Sequence, residues 1–226
     1  MKTNRKIAIA IFSLTALVLS ACRLPFVDVV RGSGNLVTTS REVSGYNQVR
    51  LDGAGRLVIT QGETESLEIE AEDNIIDELT SEVQGQTLVL GFQDQPWRTS
   101  VIPTQGITYT LTVIDLAGIT FNGAGDLEME SLDTASLELG INGAGQIELN
   151  QLTADSLTVK IIGTGTISIG GQVSSQTVAI DGAGNYQAGD LQTRSTEINI
   201  AGLGNSTVWA TETLDVTING SGALNY

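Results

Sequence analysis

A glycine pair with one residue between its two members recurs along this 226-residue chain. From Gly123 onward, the first glycine of each pair follows the previous one by 18 to 20 residues, as in "FNGAGDLEM" and "INGAGQIEL". A repeat this short cannot bury its own apolar side, so the spacing favours a chain that folds by stacking one unit on the next. The paired glycines are Gly53, Gly55, Gly123, Gly125, Gly143, Gly145, Gly163, Gly165, Gly182, Gly184, Gly202, Gly204, Gly220 and Gly222.

Apolar residues alternate on both sides of each pair. In "SLELGINGAGQIEL", Leu137, Leu139, Ile141, Ile147 and Leu149 have the same parity as the two glycines. Alternation with a period of two is typical of β-strands and does not fit a helix. We therefore predict an all-β parallel solenoid with coils of about 20 residues. Each glycine pair would form a corner, where the chain bends hard and leaves no room for a Cβ.

The glycine pairs do not fit a phosphate-binding loop. A dinucleotide-binding fingerprint needs a third glycine at a fixed spacing and a helix directly after it. No pair here has that third glycine, and a strand pattern follows each pair. The pairs are therefore interpreted as structural, and no cofactor is predicted.

The N-terminus reads as an export signal. Lys2, Arg5 and Lys6 precede an apolar run over residues 7–19, which is shorter than the about 20 residues of a spanning helix. The sequence "LSAC" that closes it resembles the lipobox of bacterial lipoproteins, and this resemblance implies that Cys22 carries the lipid.

Three segments follow from these patterns. Residues 1–21 are predicted to be a lipoprotein signal peptide. Residues 22–45 are rich in Gly, Ser and Thr and are predicted to be a lipid-anchored flexible tether. Residues 46–226 are predicted to be the β-solenoid domain, with irregular coils at 61–116. That irregular part is interpreted as wider or decorated coils of the same domain, or as a small separate cap.

The chain is acidic, with 26 acidic and 11 basic residues and a formal net charge of -15. Such a surface repels nucleic acid and anionic lipid headgroups. Nucleic acid is therefore excluded as a partner, and membrane attachment is expected through the lipid on Cys22.

Composition also restricts catalysis. The chain has no histidine, and Cys22 is its single cysteine, which removes the usual triads and zinc sites. Aligning the coils on their glycines places Glu128 beside Glu148, and two stacked glutamates suit calcium. No basic residue occurs at the same positions of the aligned coils. The alternative is therefore that Glu128 and Glu148 lie on an outward face that tolerates two like charges.

Several stretches together resemble a known family. They are "LDGAGRLVITQG", "LEIEAEDNIIDELTSEVQGQTLVLGF", the repeated "NGAG" coils and "INGSGALNY". Over about residues 46–226 the chain resembles the bacterial auto-transporter adhesin head domains, also called the head GIN domain. The resemblance implies a right-handed parallel β-helix without catalytic residues, and a role in adhesion.

Two tryptophans are the predicted ligand contacts. Trp209 has the parity opposite to the core, and Trp97 lies in the loop sequence "QPWR"; exposed tryptophan commonly marks a contact surface. Packing against a neighbouring loop or subunit is the alternative for each.

We therefore expect a non-catalytic, adhesin-like protein of the cell envelope, at the outer membrane or cell surface, that binds a glycan or a protein. The alternatives are a scaffold for a neighbouring envelope protein and, less favoured, a polysaccharide-degrading β-helix enzyme. Strand edges at the solenoid ends predict a cap, a partner or homo-oligomerisation.

Overall fold

The protein is all-β, which confirms that part of the predicted fold class. The computed structural model describes residues 28–93 and 99–226. Within these residues the helical structure is one 3-10 turn, Ile76–Glu78, and no helix is long and apolar enough to cross a membrane. The strands are β1 Asp28–Arg31, β2 Leu36–Arg41, β3 Gln48–Gln61, β4 Ser66–Glu72, β5 Leu79–Gln84, β6 Thr87–Phe92, β7 Thr99–Ile102, β8 Thr108–Val113, β9 Gly118–Asp133, β10 Ser136–Gly182, β11 Asn185–Gly202, β12 Asn205–Gly220 and β13 Ala223–Asn225.

Successive repeats pair in parallel, glycine opposite glycine. Gly143 of β10 lies opposite Gly123 of β9, which in turn lies opposite Gly53 of β3. Farther along, Gly202 of β11 pairs with Gly182 of β10. From β9 to β13, the residues around each glycine pair therefore lie opposite the residues that hold the same positions relative to the glycines of the next coil.

The alternating apolar residues form a shared core. Leu137, Leu139, Ile141, Ile147 and Leu149 of β10 are all at most 2% exposed. Burying each such side chain contributes roughly 1.5–3 kcal/mol relative to exposing it. Because these side chains lie between those of adjoining coils, the stabilisation belongs to the stack and not to any single coil.

The N-terminal half departs from a uniform parallel solenoid, because its sheets are mixed. Strand β4 pairs antiparallel with both β2 and β8, and β5 pairs antiparallel with β6. Strands β6 and β8 join β3 in parallel, so the segment predicted as irregular coils or a separate cap belongs to the main 11-stranded sheet. The parallel β-helix predicted for the whole domain is thus corrected to a mixed sheet that continues into a parallel stack.

Residues 28–41 lie within the segment predicted as a flexible tether, yet they form two paired strands. β1 pairs in parallel with β7, and β2 pairs antiparallel with β4. Asn74 fixes the turn between them by donating a hydrogen bond from Nδ2 to the Arg31 carbonyl at 2.8 Å. A Gly- and Ser-rich composition suggested flexibility, but long-range pairing orders the backbone from Asp28 onward.

A buried polar network interrupts the apolar core in the later coils. The Tyr186 hydroxyl donates to Gln176 Oε1 at 2.7 Å, and Gln176 Nε2 donates to Thr196 Oγ1 at 3.0 Å. Thr193 shares a hydrogen bond with Thr196 and donates another to the Trp209 carbonyl. Each polar side chain in the network is thereby satisfied, as burial requires.

We expect Tyr186→Phe to lower the free energy of unfolding by about 1–3 kcal/mol, because the buried Gln176 Oε1 loses its donor. Tyr109→Phe is the matched control. Tyr109 is equally buried, but its hydroxyl has no hydrogen-bond partner among the described residues, so its removal is expected to be neutral or slightly stabilising. Urea unfolding of both variants measures the difference, and equal losses would contradict the role assigned to the network.

Candidate functional site

The glycine corners bring neighbouring coils into close contact. The first glycine of all seven pairs has φ between +117° and +159°, which strains any residue with a side chain. A Cβ on Gly143 would overlap the carbonyl oxygen of Gly123 in the preceding coil, and Gly163 stands in the same relation to Gly143. The obstacle is therefore the backbone of the adjacent coil, and not the crowded inside of a bend that the sequence suggested.

A groove of about 700 Å³, here called the corner groove, lies over three of these corners. Its wall includes Pro103, Gln105, Gly106 and Ile107 from the loop between β7 and β8. The alanines and glycines of the corners have little or no side chain, so they leave backbone peptide groups open to a ligand. The rest of the lining consists of Ala54, Gly55, Ala124, Gly125, Ala144 and Gly145, with Arg56, Asp126 and Thr108.

Glu72 fixes the loop that forms this wall. The alternation in "SLEIEAE" predicts an outward side chain, but Glu72 is only 1% exposed. Its carboxylate accepts hydrogen bonds from the backbone N–H groups of Gly34 at 2.7 Å and Thr104 at 2.8 Å, and from the Thr104 hydroxyl. One buried carboxylate thus joins the β1–β2 turn to the wall of the corner groove.

These donors also determine the protonation state of Glu72. Burial by itself would raise the pKa, but hydrogen bonds from Thr104, Gly34 and Gln105 outweigh it and lower the pKa from 4.5 to about 2. Glu72 is therefore ionised at neutral pH, as a carboxylate surrounded by donors must be to accept all of these bonds.

Beside the corner groove lies a surface that we call the acidic face, formed by the exposed side chains of Arg56, Glu128, Glu130, Glu148 and Asn150. Glu148 is in register with Glu128, so the two stack as direct neighbours. Arg56 Nη2 lies 2.5 Å from Glu128 Oε2. Sequence alignment of the coils missed this pair because Arg56 and Glu128 stand in columns two positions apart and meet diagonally across strands.

The predicted calcium site at Glu128 and Glu148 stays a prediction. The two residues help to line a hollow of about 390 Å³ with Glu130 and Asn150. Asn150 donates to Glu130 at 2.8 Å, and Arg56 already pairs with Glu128. No group of three or more metal-binding side chains occurs in residues 28–93 and 99–226, whereas calcium takes 6–8 oxygen ligands.

Polar side chains before the glycines form hydrogen-bonded ladders across coils. Asn122 Nδ2 donates to Asp52 Oδ1 at 2.7 Å, and Asn142 Nδ2 donates to Asn122 Oδ1 at 2.9 Å. These bonds run parallel to the stack, so they hold adjacent coils together and also present a regular polar row to solvent.

One of the two predicted aromatic contacts, Trp209, lies within the described residues. Trp209 lies in β12 and is 48% exposed, far along the sheet from the corner groove. Trp97, the lipidation residue Cys22 and the signal peptide 1–21 lie outside the described residues. The sequence thus indicated Trp209, Glu128 and Glu148, but it gave no signal for Arg56, Glu72 or the 103–107 wall.

Comparisons with solved structures find the same fold in several bacterial proteins. A putative adhesin from Bacteroides fragilis NCTC 9343 matches with a TM-score of 0.75 and 23% identity, covering 87% of this chain and 99% of its own. A putative lipid binding protein from Parabacteroides distasonis ATCC 8503 matches with a TM-score of 0.64 and 20% identity, covering 88% and 99%. A putative adhesin from Parabacteroides merdae ATCC 43184 has a TM-score of 0.61 and 16% identity, covering 88% and 99%.

None of the curated proteins matches this chain. The sequence does match the family described as "Putative auto-transporter adhesin, head GIN domain" over residues 45–226, which includes every glycine pair and the corner groove. This protein therefore belongs to the auto-transporter adhesin head GIN domain family.

Proposed function

We propose that this protein is a non-catalytic, adhesin-like binding protein of the bacterial cell envelope. The observation that carries the proposal is the continuous parallel sheet, whose matching polar side chains lie side by side on successive coils, as Asp52, Asn122 and Asn142 do. Weak contacts made in several copies at once gain avidity. The family and the adhesins that share the fold support this role.

The ligand is a glycan or a protein, and the corner groove with the acidic face is its binding site. The groove combines accessible backbone with the charged groups of Arg56 and Asp126, a mixture that suits hydroxyl and amide groups. The polysaccharide-degrading alternative is less favoured, since Arg56, the basic side chain of the acidic face, is already paired with Glu128.

We propose a right-handed β-helix for the parallel stack from β9 to β13 only, and an anchor for the chain through a lipid on Cys22. Only five residues lie between Cys22 and Asp28, where β1 begins. This length spans at most about 20 Å, so the lipid would keep the β1 end close to the outer membrane or cell surface. At the other end, β12 exposes Ile218 at 39% and Trp209, which supports self-association through these last coils.

The test of the proposed function is a glycan-array and cell-surface binding screen of the purified full chain. A Trp97→Ala, Trp209→Ala double variant is compared with the wild type, with and without calcium. Saturable binding by the wild type would support adhesion, and a loss of about tenfold in the double variant would move the contact from the corner groove to the tryptophans. Absence of binding by the folded protein to every glycan and surface would reject adhesion and leave the envelope-scaffold alternative.

The groove is tested separately by filling it. Ala124 lines the corner groove and is exposed, so Ala124→Trp is expected to weaken binding about tenfold by occupying the ligand's place. Ala201→Trp is the matched control, because Ala201 is also an exposed alanine but does not line the groove. Equal binding by the two variants would exclude the corner groove as the ligand site.

A further inference from the structure

The outer edge of β2 carries unpaired backbone groups. β2 stands at one end of the main sheet, and within the described residues only β4 pairs with it. We propose that this edge binds an extended basic polypeptide segment, which adds to the sheet as a further strand. The proposal concerns a second contact site and does not rest on the proposed function of the corner groove.

The register shows which groups are free. The Asn35 carbonyl accepts the N–H of Asp73 at 2.9 Å, and this pair continues the antiparallel register of β2 and β4. Hydrogen-bonded pairs alternate along antiparallel strands. The N–H and C=O groups of Leu36, Thr38 and Ser40 therefore point away from β4 and toward the free edge.

This edge lacks the devices that usually prevent strand addition. Exposed edge strands are commonly protected by proline, by lysine or by a bulge. β2 reads "LVTTSR", pairs with β4 over all six residues without a register shift, and exposes Leu36 at 46% and Val37 at 38%. Its one basic side chain, Arg41, donates to the Ile76 carbonyl at 3.1 Å.

Charge on one side of the sheet selects a basic partner. Thr38 and Ser40 lie opposite Glu70 and Glu68 of β4, and both glutamates are exposed. An added strand would lie about 10 Å from β4, so a lysine or arginine could extend over the small residues of β2 to reach these carboxylates.

The other side of the sheet selects apolar residues. Val37 and Thr39 lie opposite Ala71 and Ile69, which are buried. A partner residue on this side would extend the same apolar row. The segment that fits is therefore extended, with basic and apolar residues in alternation.

A second copy of the chain does not meet these requirements. Pairing β2 with another β2 would place Leu36, Thr38 and Ser40 of the second copy on the side of Glu68 and Glu70, and none of these is a cation. It would also join two molecules that each carry a net charge of -15, which repel each other most at low salt. The acidic edge thus favours a partner of opposite charge.

The experiment measures binding of an acetylated, amidated Lys-Val-Lys-Val-Lys peptide to the purified full chain by calorimetry. Thr38→Pro removes a free-edge N–H but no bond to β4, and is expected to weaken binding about tenfold. Thr38→Ala keeps the N–H and should bind within about twofold of wild type. Glu68→Gln with Glu70→Gln should weaken binding several-fold and reduce its salt dependence.

A peptide that is N-methylated at the residues facing β2 repeats the test without altering the protein, and should not bind. Equal binding of a Glu-Val-Glu-Val-Glu peptide, or undiminished binding by Thr38→Pro, would overturn the proposal. A wild-type dimer in light scattering that Thr38→Pro converts to a monomer would also overturn it, by identifying a second copy as the occupant.

Discussion

Replacing Gly143 with alanine is expected to lower the free energy of unfolding by roughly 3 kcal/mol or more. Gly143 has φ +144°, a conformation that costs a residue with a Cβ about 1–3 kcal/mol. The new Cβ would also overlap the Gly123 carbonyl oxygen. Because that oxygen belongs to the backbone of the neighbouring coil, the overlap is relieved only if the two coils separate.

Gly140→Ala is the matched control for this prediction, since Gly140 lies in the same strand three residues earlier. Its φ is not positive, and a Cβ there would meet Thr120 Oγ1 at 3.4 Å, an ordinary contact. Alanine at such a position reduces the entropy of the unfolded chain and commonly stabilises by about 0.4–1 kcal/mol. Denaturant unfolding should therefore give opposite signs for the two variants, and two similar values would reject the backbone overlap as the cause.

The parallel part of the fold could be predicted because its signals are local and repeated. Alternation around Leu137 and Ile147 identifies strands, and equal spacing allows Gly143 to lie opposite Gly123. When successive repeats have nearly the same length, a single register pairs every coil with the next. The sequence then predicts both where the strands lie and which strands pair.

The direction of pairing in the N-terminal half could not be predicted in this way. "TLVLGF" alternates like any strand of the stack, yet β6 pairs antiparallel with β5 and parallel with β3. The reversal occurs at Gly85, where φ is +68° between Gln84 and Thr87. A two-residue connection with a glycine is a hairpin signal, so the antiparallel pairing of β5 and β6 has a local cause that the repeat spacing does not contain.

The site was harder to predict than the fold, because its contacts join residues far apart in the chain. Glu72 has outward parity, but Gly34 and Thr104 cover it from two different loops. Arg56 meets Glu128 only after β3 and β9 pair, as they do with Gly53 opposite Gly123. Periodicity determines which face a side chain occupies, but not which loop covers that face.

Glu72→Gln is expected to destabilise the protein at neutral pH and to matter progressively less in acid. The carboxylate accepts three hydrogen bonds from Gly34 and Thr104, and a glutamine would direct its own N–H₂ group at some of these donors. The folded pKa of Glu72 is about 2, below the ordinary 4.5. The stabilisation is therefore fully present above about pH 4.5 and is lost as the pH falls toward 2.

Thermal unfolding of wild type and Glu72→Gln between about pH 6 and pH 2 measures this effect as a difference in Tm that shrinks in acid. Comparing the two proteins at each pH cancels the titration of the other carboxylates. Glu70→Gln is the control, since Glu70 is an exposed glutamate of the same strand and should show a small difference throughout. Hydrogen exchange should become faster at the Gly34 and Thr104 amides of Glu72→Gln. A difference in Tm that stays constant down to pH 2 would mean that the ionised carboxylate does not hold the wall of the corner groove.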